Sequence, residues 1–104
     1  MIKREKRRYL ALKVENGQAV TEQLVLDAVH GSVLRLFGEY GVSKANIKPI
    51  KYTPENSQMV IRCVHTMLDK VRAAIALIVT IDGKPAAIHV MDVSGTLKAL
   101  ANKT

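Results

Sequence analysis

A chain of 104 residues and 11.5 kDa has room for one domain with a core of its own and not for two. Its single cysteine, Cys63, excludes an intrachain disulfide and an all-cysteine metal cage, and suits a reducing compartment. Sixteen Lys and Arg against nine Asp and Glu give a net charge of +7, which points to a polyanionic partner, nucleic acid before an acidic membrane.

The surplus is concentrated at the start, where residues 1–13 carry six basic side chains and one acidic. Lys3, Arg4, Lys6, Arg7 and Arg8 precede the first apolar run, so residues 1–6 read as a basic, flexible arm that orders on phosphates, and residues 7–104 as a single α+β domain. No apolar stretch of the kind found in signal peptides follows the arm. Val71 to Ile81, the most apolar stretch, is broken by Arg72 and Thr80 and falls short of the roughly 20 residues that span a bilayer. A cytoplasmic protein with no membrane partner is expected.

Tyr9 to Val14 alternates as a strand, with Leu10, Leu12 and Val14 on one face and Arg7, Tyr9, Ala11 and Lys13 on the other. Asn16-Gly17 turns the chain. Thr21 then caps a helix whose core stripe is Val25, Val29, Val33 and Leu36, flanked by Leu26 and Phe37, and which stops at Gly38 or Gly41. Leu24 and Leu34 lie off the stripe, on the side expected to face solvent, and are candidates for contact with a protein partner. Ile47 to Thr53 is extended but contains Pro49, which has no N–H to donate, so this strand belongs at a sheet edge. Pro54 to Ser57 turns, and Gln58 to His65 returns as a strand. Thr66-x-x-Asp69 reads as a capping box for a second helix that faces the core with Leu68, Val71, Ile75, Ile78 and Val79. Asp82-Gly83-Lys84 closes that unit. Pro85 to Val93 is a last strand, also suited to an edge, and Ser94-Gly95-Thr96 leads into a short helix through Leu100.

The order β-α-β-β-α-β predicts a ferredoxin-like sandwich of the kind found in RNA-recognition domains, with a four-stranded antiparallel sheet, two helices on one face and a short C-terminal helix. The open face then offers Arg7, Tyr9 and Lys13 from the first strand and Val60, Arg62 and Val64 from the third. One aromatic is too few for binding dominated by base stacking, so phosphate contact through Arg and Lys is the expected mode. Ser94-Gly95-Thr96-Leu97-Lys98 adds a turn whose backbone N–H groups could face an anion, with Lys98 one turn along; the alternative is a plain helix cap. Cys63 and His65 fall on one face of a strand that His89 could approach. One thiol and three scattered histidines make a poor ligand set, however, and no cleft or third group orients a base, so neither a metal nor a catalytic residue is assigned.

Five segments, Arg8-Tyr9-Leu10, Leu36 to Gly41, Ile61-Arg62-Cys63, Val71 to Ala74 and Val93 to Lys98, resemble in order and spacing the archaeal ribonuclease P protein component 2 family, which is shared with a eukaryal subunit. The likeness runs from about residue 7 to residue 100. It implies a protein subunit that assists a catalytic RNA in removing the 5′ leader of precursor tRNA. It further implies as partners the ribonuclease P RNA, ribonuclease P protein component 3 and other protein subunits, with precursor tRNA as the substrate of the assembly. No cofactor is implied for the chain itself; magnesium is expected for the RNA. Arg8, Arg62, Thr96 and Lys98 fall on family motifs and become RNA-facing or structurally fixed positions. Two alternatives stay open: a stand-alone RNA-binding or ribosomal-type protein, and an acylphosphatase-like domain. The latter is disfavoured because Glu15-Asn16-Gly17-Gln18 supplies no basic residue to cradle a phosphate.

Overall fold

The computed structural model describes residues 6–16 and 20–103. Five strands form one antiparallel sheet: β1 (Arg7–Asn16), β2 (Lys48–Thr53), β3 (Gln58–Val64), β4 (Thr80–Ile81) and β5 (Lys84–Ser94), in the order β2-β3-β1-β5-β4. Three α-helices, α1 (Glu22–Ala45), α2 (Leu68–Ala76) and α3 (Leu97–Lys103), complete the α+β architecture. One edge follows from local chemistry, and the other corrects an expectation, since β5 pairs with both β1 and β4 and the edge strand is β4. Pro49 sits in β2, which pairs only with β3, so its missing N–H costs the sheet no central bond. Pro85 lies at the start of β5, beyond the stretch that pairs with β1.

The expected count of four strands is corrected to five. Asp82 and Gly83 both take positive φ, 54° and 76°, and join Ile81 to Lys84 as a two-residue hairpin turn. That turn folds Thr80 and Ile81 back onto the start of β5. The second helix accordingly ends at Ala76; Ile78 still packs in the core, but Val79 is 71% exposed and is not a core residue. The expected capping box does not form either. A 3₁₀ turn over His65–Met67 precedes α2, and Met67 takes the cap position without a side-chain bond.

The core lies between one sheet face and the pair α1–α2. Leu10, Leu12 and Val14 from β1 meet Met59, Ile61 and Cys63 from β3 and Ile88 from β5, all buried. Helix α1 contributes Val25, Leu26, Val29 and Val33, and α2 contributes Val71, Ala74 and Ile75. Thr21 caps α1 as expected, its Oγ1 accepting from the Leu24 N–H at 3.2 Å. The core stripe of α1 differs in one place. Buried Ser32 donates its hydroxyl to the Ala74 carbonyl at 2.7 Å and ties the two helices together, whereas Leu36 is 42% exposed. The stripe continues from Val33 to Phe37, four residues on, which leaves Leu36 at its margin.

The helix is interrupted at Gly38 (φ 74°, ψ −176°), a conformation open to glycine, and then resumes to Ala45. Asn46 in the left-handed region caps it, donating its N–H to Val42 O. The break brings Gly41 so close to the preceding turn that a Cβ there would lie 2.5 Å from the Phe37 Cβ. Both glycines singled out as stops therefore have structural roles, one as a kink and one as a close approach, but neither ends the helix.

Candidate nucleic-acid interface

Strand alternation places Arg7, Tyr9, Ala11, Lys13 and Glu15 on the face of β1 opposite the core, and pairing aligns them with β2, β3 and β5. One cross-sheet row runs Lys48, Arg62, Tyr9, Ser94; the next runs Lys51, Val60, Ala11, Asp92. Arg7, opposite Val64, extends the first row toward the sheet end. Tyr9 is half-buried between Arg62 and Ser94, and Lys48 and Arg7 are exposed. Two further elements reach the same end. Arg8, the β1 residue opposite Cys63, donates from Nη1 to the Arg7 carbonyl at 3.2 Å and closes over Gly95, where a Cβ would lie 3.3 Å from that nitrogen. A side chain at Gly95 would press on the guanidinium and displace it by a few tenths of an ångström. Arg7, Arg62 and Lys48 thus share the outer sheet face, although they lie far apart in sequence, while Arg8 faces the core side like its partner Cys63 and reaches Gly95 at the same sheet end.

Lys13 stands apart. It lies four residues further along β1, roughly 13 Å from Tyr9 at the rise of a strand, beside His89, whose Nε2 is 3.2 Å from the Glu15 carboxylate. At the far end of the chain, Thr96 Oγ1 accepts from the Ala99 N–H at 3.1 Å, and Ser94 Oγ accepts from the Thr96 N–H at 3.4 Å. These are the bonds of a helix cap, and Lys98 is exposed at the second position of the helix. Lys3 and Arg4 lie outside the described residues. Lys6 is exposed, and its carbonyl accepts the His65 backbone N–H at 2.9 Å, which ties the end of the arm to the chain after β3. Of the two candidate partner-contact leucines, Leu34 is 48% exposed, whereas Leu24 packs against the core cluster.

The face is not fully open. Helix α3 lies across it, on the side away from α1 and α2, with Leu100 buried against the sheet. The expectation of a bare platform is corrected: Leu97 and Leu100 share a shallow groove of about 360 Å³ with Ala11 and Val60, and β2 contributes Ile50, Lys51 and Thr53. A bulge in β2 between Pro49 and Lys51 turns Ile50 into that groove. Lys48 and Lys51 were not singled out from sequence. The edge position implied by Pro49 was the available signal, since it sets β2 beside Arg62.

The pair Cys63 and His65 is separated by the fold. Cys63 is fully buried on the core side, and loss of hydration pushes its thiol up from 9.0 to about 11, against a smaller opposing pull from the Arg8 charge. His65 falls in the 3₁₀ turn after the strand, exposed, with Nδ1 3.2 Å from the Lys6 carbonyl; since a carbonyl only accepts, that nitrogen carries the proton. His89 projects from the opposite sheet face. A thiol held neutral in the core, with His89 on the other sheet face and His65 turned to the Lys6 carbonyl, is not an activated nucleophile. Among the described residues no helix is long and apolar enough to cross a membrane.

Residues 8–104 match the family model described as the Rpp14/Pop5 family. The chain is 33% identical over 100 residues to a Methanosarcina mazei protein named ribonuclease P protein component 2, covering 96% of this chain and 84% of that one. It is 34% identical over 100 residues to the Pyrococcus furiosus protein of the same name, covering 96% and 83%. Its fold is similar to that of a chain in the cryo-EM structure of yeast ribonuclease MRP, with a TM-score of 0.69 at 13% identity, covering 99% of this chain and 94% of that chain.

Proposed function

The chain belongs to the Rpp14/Pop5 family of ribonuclease P protein subunits, and from that premise we propose that it assists a catalytic RNA in removing the 5′ leader of precursor tRNA. The observation that carries the reading is the set of Arg7, Arg62 and Lys48 on the outer face of the sheet, with Arg8 at the same sheet end beside Gly95. A cluster of cations on a rigid sheet end holds phosphates at fixed spacing, and the charge it supplies offsets repulsion that free ions would otherwise screen. In this reading the chain is non-catalytic and carries no cofactor, and the magnesium ions belong to the RNA. Ribonuclease P protein component 3 and further subunits are its protein partners, and Leu34 is a candidate contact for them. Thr96 and Lys98 act at the RNA-facing end, Lys13 on a separate part of the same face, and Lys3, Arg4 and Lys6 belong to a basic arm. The order of the long strands, β2-β3-β1-β5, supports a ferredoxin-like sandwich to which β4 is an added ribbon.

Reconstitution tests the proposal. Added with component 3 to the matching ribonuclease P RNA, the chain is expected to lower the magnesium concentration needed to cleave precursor tRNA, and the chain without RNA is expected not to cleave. Cleavage by the RNA-free protein, abolished by Cys63→Ser, would overturn the subunit reading.

A further inference from the structure

The groove between α3 and β2–β3 is not explained by phosphate binding, since Ile50, Val60, Leu97 and Leu100 make its walls apolar. Its floor is Ala11, the smallest side chain on that face of β1, and Thr53 and Gln58 add hydrogen-bonding groups at one end. At about 360 Å³ it is at the small end of ligand pockets, which run from roughly 300 to 1,000 Å³. The side chains that charge it are mostly basic, the one acid in its own cross-sheet row being Asp92, beside Ala11, whose Oδ1 accepts the Val93 N–H. Lys51 lies on its wall, and Lys48 and Arg62 occupy the adjacent cross-sheet row, while none of its lining residues is acidic.

Resting on the RNA-binding reading above, we propose that this groove receives one unpaired nucleotide of the RNA, with its base against Val60 and Leu97 and its phosphate on Lys51 and Lys48. An apolar slot with cationic neighbours matches a flat, apolar base joined to an anionic backbone. A paired base cannot enter, because its edges and faces are occupied in the helix, so the groove selects single-stranded segments. Thr53 and Gln58 each offer both a donor and an acceptor, so the site reads the edge of the base with little preference among bases. This site differs from the Arg7–Arg62 cluster in what it recognises: the cluster accepts any phosphate, the groove only a base free of its partner.

The test is a titration of the isotope-labelled full chain, followed by NMR, with oligouridylate and separately with a short RNA duplex. Oligouridylate is expected to shift the amides of Ala11, Lys51, Thr53, Val60 and Leu97 saturably, and the duplex to shift those of Arg7 and Arg62 while leaving the groove amides in place. Val60→Phe, which fills the groove, is expected to weaken oligouridylate binding roughly tenfold, the effect of withdrawing on the order of 60 Å² of apolar contact, with duplex binding unchanged. Lys51→Ala, an exposed substitution that does not threaten folding, is expected to lower the logarithmic salt slope for oligouridylate by about 0.7. Duplex binding with silent groove amides, or groove amides that respond only to a partner protein, overturns this proposal and leaves the subunit reading standing. Failure to bind either RNA, with no effect of the chain on reconstituted cleavage, overturns both.

Discussion

Replacing Cys63 by Ala isolates one buried ionisation and separates an inert thiol from a catalytic one. The Cys63 side chain is fully buried, and burial raises its thiol from 9.0 to about 11. In the unfolded chain the thiol loses its proton near 9, so between pH 9 and pH 11 the unfolded state binds fewer protons than the folded one. Stability therefore falls as pH rises through that window, and it is unaffected by this group below it. At about 1.36 kcal/mol per pH unit the full contribution approaches 2.7 kcal/mol, of which roughly 1.4 kcal/mol is lost by pH 10. Urea unfolding of the parent and of Cys63→Ala at pH 8 and pH 10 measures it. The stability difference between the two proteins is expected to shift by about 1.4 kcal/mol in favour of the variant at the higher pH, while titration of the lysines and tyrosines cancels. A shift below about 0.3 kcal/mol would mean that the thiol ionises in the folded state as it does in water, and the argument against a reactive Cys63 would fail with it.

Ile75→Ala, at a fully buried position of α2, is expected to cost about 2–5 kcal/mol in urea unfolding, and a loss below about 0.5 kcal/mol would mean that the cavity collapses at no cost. Gly41→Ala should destabilise by roughly 1–3 kcal/mol despite the helix preference for Ala, because the new Cβ meets a Cβ fixed to the backbone at 2.5 Å; an unchanged urea midpoint would refute that contact. Arg62→Ala and Lys48→Ala should each weaken binding to ribonuclease P RNA and reduce the salt slope by about 0.7–0.9 per lost phosphate contact. Lys13→Ala, remote from the cluster, should change the slope less, and equal slopes for all three would argue for a diffuse positive surface.

Much of this protein is written in patterns of short range. Alternation in residues 9–14 and 58–64 determined which side chains line the core, because a strand sends successive residues to opposite faces wherever it is placed. Pro49 determined an edge, because a missing N–H cannot be satisfied at the centre of a sheet. The five family segments determined the likeness to ribonuclease P subunits. Residue identity alone misled where packing reverses the usual preference. Ser32 is buried because the Ala74 carbonyl meets it across the helix pair, and Leu36 is left outside because the stripe passes to Phe37. Asp82-Gly83 was legible as a turn, but whether a turn ends a helix or folds a new strand onto β5 depends on what lies across it.

The candidate site was decided at the longest range of all. Arg8 and Gly95, Lys48 and Arg62, and Val60 and Leu97 meet only because antiparallel pairing sets the start of β1 beside the ends of β3 and β5, and because α3 turns back across the sheet. The same pairing takes His89 away from Cys63. Charge and hydropathy along the chain carry no record of such cross-strand neighbours, since sheet register is set by the burial of whole faces and not by any one residue.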